Sequence, residues 1–160
     1  MFLSLGAFLP TMPIGKYGPV LIGTSSDYIR FQKYLPRVLT VYGNLAFHYI
    51  KDKGFIFGWE IGPNFMIPTE GDGEFEAYIH YALAAGYRLK SVDLKAELRG
   101  LGIITEDVEI FKDRFFHDLA FGVQWHRGKI RPGVFYIIYL KKPWSDNISG
   151  VTGLRVDVIL

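Results

Sequence analysis

Four histidines (His48, His80, His117 and His126) and a complete lack of cysteine limit the chemistry open to this 160-residue chain. Without thiols there is no disulfide scaffold, no thiolate nucleophile and no cysteine-ligated zinc. The histidines are scattered without metal-ligand spacing, so each is expected to be a hydrogen-bonded side chain, and neither a metal nor a cofactor is expected. Hydrolysis of an ester or a lipid would require histidine beside serine and a carboxylate. His117 and Asp118, followed by Ser145, Asp146 and Ser149, are the nearest approach to that set. No G-x-S-x-G elbow accompanies them, and the glycines of GDGE and GLG lack the strand-turn-helix setting of a phosphate loop. No catalytic residue is assigned.

The remaining polar candidates are Glu60, His80, Glu97, Arg99, Asp118, Arg155 and Asp157, and they share one habit: each interrupts a run of alternating apolar residues. The run at 150–160, GVTGLRVDVIL, puts Leu154, Val156, Val158 and Leu160 on one parity and Arg155 and Asp157 on the other. Such period-two alternation is the mark of a strand with one apolar face. It recurs at 3–9, 38–50, 54–65, 75–88, 93–104, 115–126 and 132–142, which gives eight strands of about ten residues, the length of a tilted bilayer-spanning strand. Two of these stretches, FEAYIHYALAAGYRL and DLKAELRGLG, also contain good helix formers, but Gly86 and Gly100 would interrupt a helix and the alternation runs through both.

Composition agrees with a packed single domain spanning 1–160. The chain is 49% hydrophobic and 16% aromatic, which excludes disorder, and a net charge of +2 without a long basic run argues against nucleic acid as a partner. Between the strands, short links (KDKG, LKSV, HRGKIR) alternate with longer ones at 10–37, 68–74, 105–114 and 143–150. Short turns therefore gather at one end and long loops at the other, as in up-and-down barrels. No run approaches the roughly 20 apolar residues of a spanning helix, and any export signal is expected to have been removed.

On these features the chain resembles the small eight-stranded outer-membrane barrels of the OmpA and OmpX type. The resemblance spans the whole chain, and its most specific motif is the alternating closing strand, although Leu160 stands where that class ends in an aromatic. It implies an all-β, eight-stranded antiparallel transmembrane barrel in the outer membrane of a Gram-negative envelope, in contact with outer-membrane lipid. Backbone groups in hydrocarbon must pair within the protein, so the last strand is expected to zip onto the first. Parity alone does not separate inside from outside, and a soluble β-barrel or an α+β domain are the competing architectures. Function is expected in the loops, as surface binding or docking of a protein partner, with oppositely charged interior residues plugging the lumen. A small-molecule or hydrophobic-compound pore and a soluble ligand-binding barrel are the alternatives. The first loop is the best binding candidate, since Tyr17, Tyr28 and Phe31 lie in a stretch too apolar for a purely solvated loop, and packing over the barrel, binding of a small apolar molecule and docking on another subunit are the alternatives open to it.

Overall fold

A computed structural model describes residues 1–10, 28–71, 73–105, 111–142 and 144–159. Tyr17 and Leu160 lie outside the described residues. The chain forms eight antiparallel strands: β1 Phe2–Phe8, β2 Val38–Ile50, β3 Gly54–Pro68, β4 Glu76–Arg88, β5 Val92–Ile103, β6 Phe115–Trp125, β7 Ile130–Tyr139 and β8 Val151–Val158. Each pairs only with its chain neighbours, in the order β1 to β8, and the sheet curls into a half-barrel. Helical turns among the described residues are confined to Tyr28–Tyr34, Phe111–Arg114 and Trp144–Asn147, so both stretches with helix-forming composition are strands.

Turn chemistry explains the hairpins. Gly54 (φ 115°) ends the turn after β2 and Gly128 (φ 81°) sits in the turn after β6, both in the left-handed region that glycine occupies without a Cβ penalty. The β4–β5 turn is closed by Leu89 N–H donating to the Val92 carbonyl at 2.8 Å.

Because every register is in phase, one parity of each strand shares one face of the sheet. The convex face carries Leu5, Val41, Phe57, Ile61, Leu83, Leu98, Phe121, Val134, Leu154 and Val156, all exposed to between 39% and 81%. Every Asp, Glu, Lys and Arg of the eight strands (Glu60, Glu76, Arg88, Asp93, Lys95, Glu97, Arg99, Asp118, Arg131, Arg155 and Asp157) lies on the other, concave parity. The apolar faces thus point outward, and the charges inward.

The main hydrophobic cluster also lies on the concave side. Ile29, Met66, Tyr78 and Leu101 are buried together, with Phe31, Leu35, Val38, Ile103 and Phe116 packed around them. The segment Tyr28–Tyr34 therefore folds back over the long-loop end of the sheet, touching β2, β5 and β6. Its buried positions Ile29 and Gln32 lie on either side of a kink at Arg30.

One expectation fails. β1 and β8 are the two edges of the sheet and do not pair with each other. Their junction is the one that no hairpin holds, and it carries the loop-closure cost of nearly the whole chain. The register still records the stagger between them. Straight across the ladder from Phe2 lie Ala46, Glu60, Ala82, Arg99, Asp118 and Tyr139, and the β7–β8 register carries that line to position 149, before β8 begins.

Candidate functional site

The concave face holds two cavities of mixed polar and apolar lining that share Arg30 and Arg99. The first, of about 270 Å³, is half-enclosed beneath the Tyr28–Tyr34 segment and bounded by β1 to β5. Its floor exists because small residues flank the polar ones in register: Glu60 sits between Ala46 and Ala82, and Gly62 adjoins His80. At Gly62 a Cβ would run into the Gly43 backbone, so the close approach of β2 and β3 here requires glycine.

Around this floor, Asn44 Nδ2 donates to Glu60 Oε2 at 3.2 Å, leaving Asn44 Oδ1 without a partner among the described residues. His80 Nδ1 and Gln32 Nε2 are likewise unpartnered, and Gln32 is only 3% exposed. Phe8 and Tyr42 stack at 4.8 Å to form one wall, with Lys33 Nζ 5.5 Å above the Phe8 ring.

The second cavity, about 380 Å³, runs along β5 to β8 past Lys95, Glu97, Arg99, Gln124 and Arg155. Here opposite charges meet. Arg99 Nε and Nη2 donate to the two oxygens of Asp118, both at 2.7 Å, and Asp118 is fully buried. The pair is directly cross-strand, so the bidentate geometry follows from the β5–β6 register. Nearer the short turns, Asp157 accepts from Gln124 Nε2 at 2.6 Å and from Arg155 Nε at 2.8 Å. A third cluster, not foreseen from composition, closes the turn end: Arg88 Nε and Nη2 donate to Asp93 at 2.7 and 2.6 Å, and His126 Nδ1 lies 3.1 Å from Asp93 Oδ1. Arg88 and Asp93 face each other across a hairpin, so its turn and parity were the available signal.

The seven interior candidates thus all share the concave face but split into separate groups. Glu60, His80 and Arg99 line the first cavity; Glu97, Arg99 and Arg155 line the second; Asp118 and Asp157 serve as their ion-pair partners. Gln32 and Arg30 were missed because their places depend on the loop folding inward.

Phe31 is not presented for surface binding: it packs edge-on against Tyr78, ring centroids 5.7 Å apart, within the inner cluster. Tyr28 opens the same inward-folded segment. The rim group does not assemble either. His117 and Asp118 are consecutive on a strand and point to opposite faces; His117 Nε2 lies 2.6 Å from the Tyr81 hydroxyl on the convex side, while Asp118 holds Arg99 on the concave side. Ser149 meets Tyr136 only through its backbone carbonyl, at 2.9 Å. Among the described residues no group of three or more His, Asp or Glu is placed to hold a metal ion. No protein-family model, curated protein or solved structure matches the chain.

Proposed function

We propose that the protein is an outer-membrane β-barrel with a plugged lumen, whose long-loop end performs binding or partner docking. The observation that carries this reading is the convex face, which spans eight strands without one Asp, Glu, Lys or Arg. Water tolerates apolar patches of only a few hundred Å² on a monomer, whereas hydrocarbon demands such a surface. Tyr49, Phe55, Tyr87 and Trp125, near the short-turn strand ends, supply the aromatic girdle expected at an interface.

The stagger of the sheet supports closure. Setting β1 against residues 153–159 places Phe2 beside Ile159, ten residues along from position 149. With a rise of about 3.3 Å and a strand spacing of about 4.8 Å, a shear of ten over eight strands tilts them by about 41°, within the usual 35–45°. In that register Leu3, Leu5 and Ala7 meet Val158, Val156 and Leu154 on the lipid side, and both edges vanish.

The test is partition. The chain should fractionate with membranes, need detergent for extraction and migrate differently on gels before and after heating. Recovery as a detergent-free soluble monomer overturns the proposal.

A further inference from the structure

We propose that the short-turn end of the protein is a docking surface for anionic phospholipid headgroups. The inference rests on the reading of the convex face as lipid-facing, and it names the headgroup chemistry that this end takes.

The argument begins with charge. The three short turns, 51–53, 89–91 and 126–129, hold Lys51, Lys53, Lys90, Arg127 and Lys129, all exposed, against one exposed carboxylate, Asp52. No carboxylate among the described residues pairs with any of the five. The acids beneath them are already taken: Asp93 is 2% exposed and held by Arg88, and Asp157 accepts from Arg155 and Gln124. The long-loop end is built differently. There Arg37, Lys141 and Lys142 stand 3.1, 3.5 and 3.3 Å from Glu70, Asp113 and Asp146. Solubility alone is served by mixed charge of that kind, whereas an excess of one sign fits a partner of the other. The turns also form one rim: Gly54 pairs with Arg88, and His126 N–H donates to the Ser91 carbonyl at 3.0 Å, so each turn abuts the next.

The height of that rim fits a membrane. Tyr49, Phe55, Tyr87 and Trp125 lie two or three residues from Lys51, Lys53, Lys90 and Arg127 respectively. At a rise of about 3.3 Å and a tilt of about 41°, this spacing sets the charges about 5–7 Å beyond the aromatic belt. The headgroup layer has the same depth, since a bilayer of about 40–45 Å contains a hydrocarbon core of about 30 Å. With the aromatic side chains at the edge of the hydrocarbon, the cations therefore stand among phosphates. Lys51 shows the arrangement, its Nζ lying 5.9 Å from the centre of the Tyr49 ring. An acidic protein in solution would need the cations but not the exposed aromatics behind them.

The experiment uses the full chain in lipid nanodiscs, with Trp59→Phe and Trp144→Phe leaving Trp125 as the fluorescent reporter. Trp125 is 46% exposed and ends β6 beside two of the turns. Brominated phosphatidylglycerol or brominated phosphatidylcholine replaces part of the phosphatidylcholine, and quenching gives the ratio of their affinities at the rim. Phosphatidylglycerol should be favoured about fivefold at about 0.1 M salt, the effect of about one cation near an anionic surface, and the preference should vanish near about 1 M salt. Changing Lys51, Lys53, Lys90, Arg127 and Lys129 together to Gln should abolish it, while Lys142→Gln at the other end should leave it unchanged. Gel mobility with and without heating certifies that each variant is folded. A chain that never enters the nanodisc fails the barrel reading and this proposal with it, whereas a folded barrel quenched equally by both lipids overturns this proposal alone. A preference that survives the five changes also overturns it. Where the two lipids quench equally, binding of soluble polyglutamate to the wild type and not to the five-site variant reassigns the rim to an acidic protein partner.

Discussion

Asp118 is the most fully enclosed charge in the concave network, and its worth lies in what its removal would strand. Arg99 is 9% exposed and both of its contacts to Asp118 are at 2.7 Å. Asp118→Ala should therefore lower stability by about 3–5 kcal/mol in denaturant unfolding followed by tryptophan fluorescence. The double change Arg99→Leu with Asp118→Leu should recover much of that loss, because both members of the buried pair are then gone. A double variant as unstable as the single one would show that the pair itself, and not the stranded guanidinium, carries the energy. On the opposite face the expectation reverses. Leu119 lies mid-strand on the convex side between Leu98 and Ile138, so Leu119→Arg should cost about 2–4 kcal/mol in a bilayer folding titration. Wild-type folding of that variant would mean that this face does not meet lipid. Gly100 shows a subtler demand: the Tyr81 ring lies across it on its way to His117, where a Cβ would collide with the ring.

Among the elements, the strands were legible, whereas the inward fold of the apolar first loop was only one of three alternatives its composition left open. All eight strands lie where period-two alternation placed them, because each has to present one uniform face over seven to fifteen residues. Even β4 and β5, with their helix-forming alanines and leucines, follow alternation, since glycines at 86 and 100 fit a sheet better than a helix interior. Tyr28–Tyr34 is a pair of short 3-10 turns on either side of a kink at Arg30, too brief for periodicity to announce where it packs. The candidate site was half legible for the same reason: Glu60 and His80 follow from strand parity, whereas Gln32 depends on tertiary packing of the loop. That segment acts as a cap through Ile29, which is 5% exposed against Met66, Tyr78 and Leu101. Ile29→Asp should release it, since an unpaired carboxylate among those side chains is costly. Planar-bilayer recordings should show no steady large conductance for the wild type and intermittent openings for Ile29→Asp. A wild-type channel already open would remove the plug from the account.

At the scale of the whole molecule, the decisive quantity is the stagger between the two free edges. The absence of cysteine gives a clean background for measuring it. Ala7→Cys combined with Leu154→Cys should form a disulfide in the membrane-folded protein, because a shear of ten sets these positions side by side. Ala7→Cys with Thr152→Cys should not cross-link, as that pairing belongs to a shear of eight, whose tilt of about 35° sits at the lower limit for barrels. Efficient cross-linking of the second pair alone would shift the register by two residues and re-partner Arg155 and Asp157 along the seam.

The same strand order has a kinetic consequence. Seven of the pairings join strands that follow one another in the chain, so each forms across a turn or loop and none waits for a distant partner. Local contacts of this kind form early and fast. In the closure proposed above, an eighth contact joins β1 to β8 after everything between them is in place. Assembly should accordingly populate a curled, seven-hairpin intermediate with its two outer strands exposed, and the rate of its disappearance should respond to changes in β1 and β8 far more than to changes in β3 or β4. On that proposed closure, the intermediate would be the species most in need of something to hold its edges until they meet.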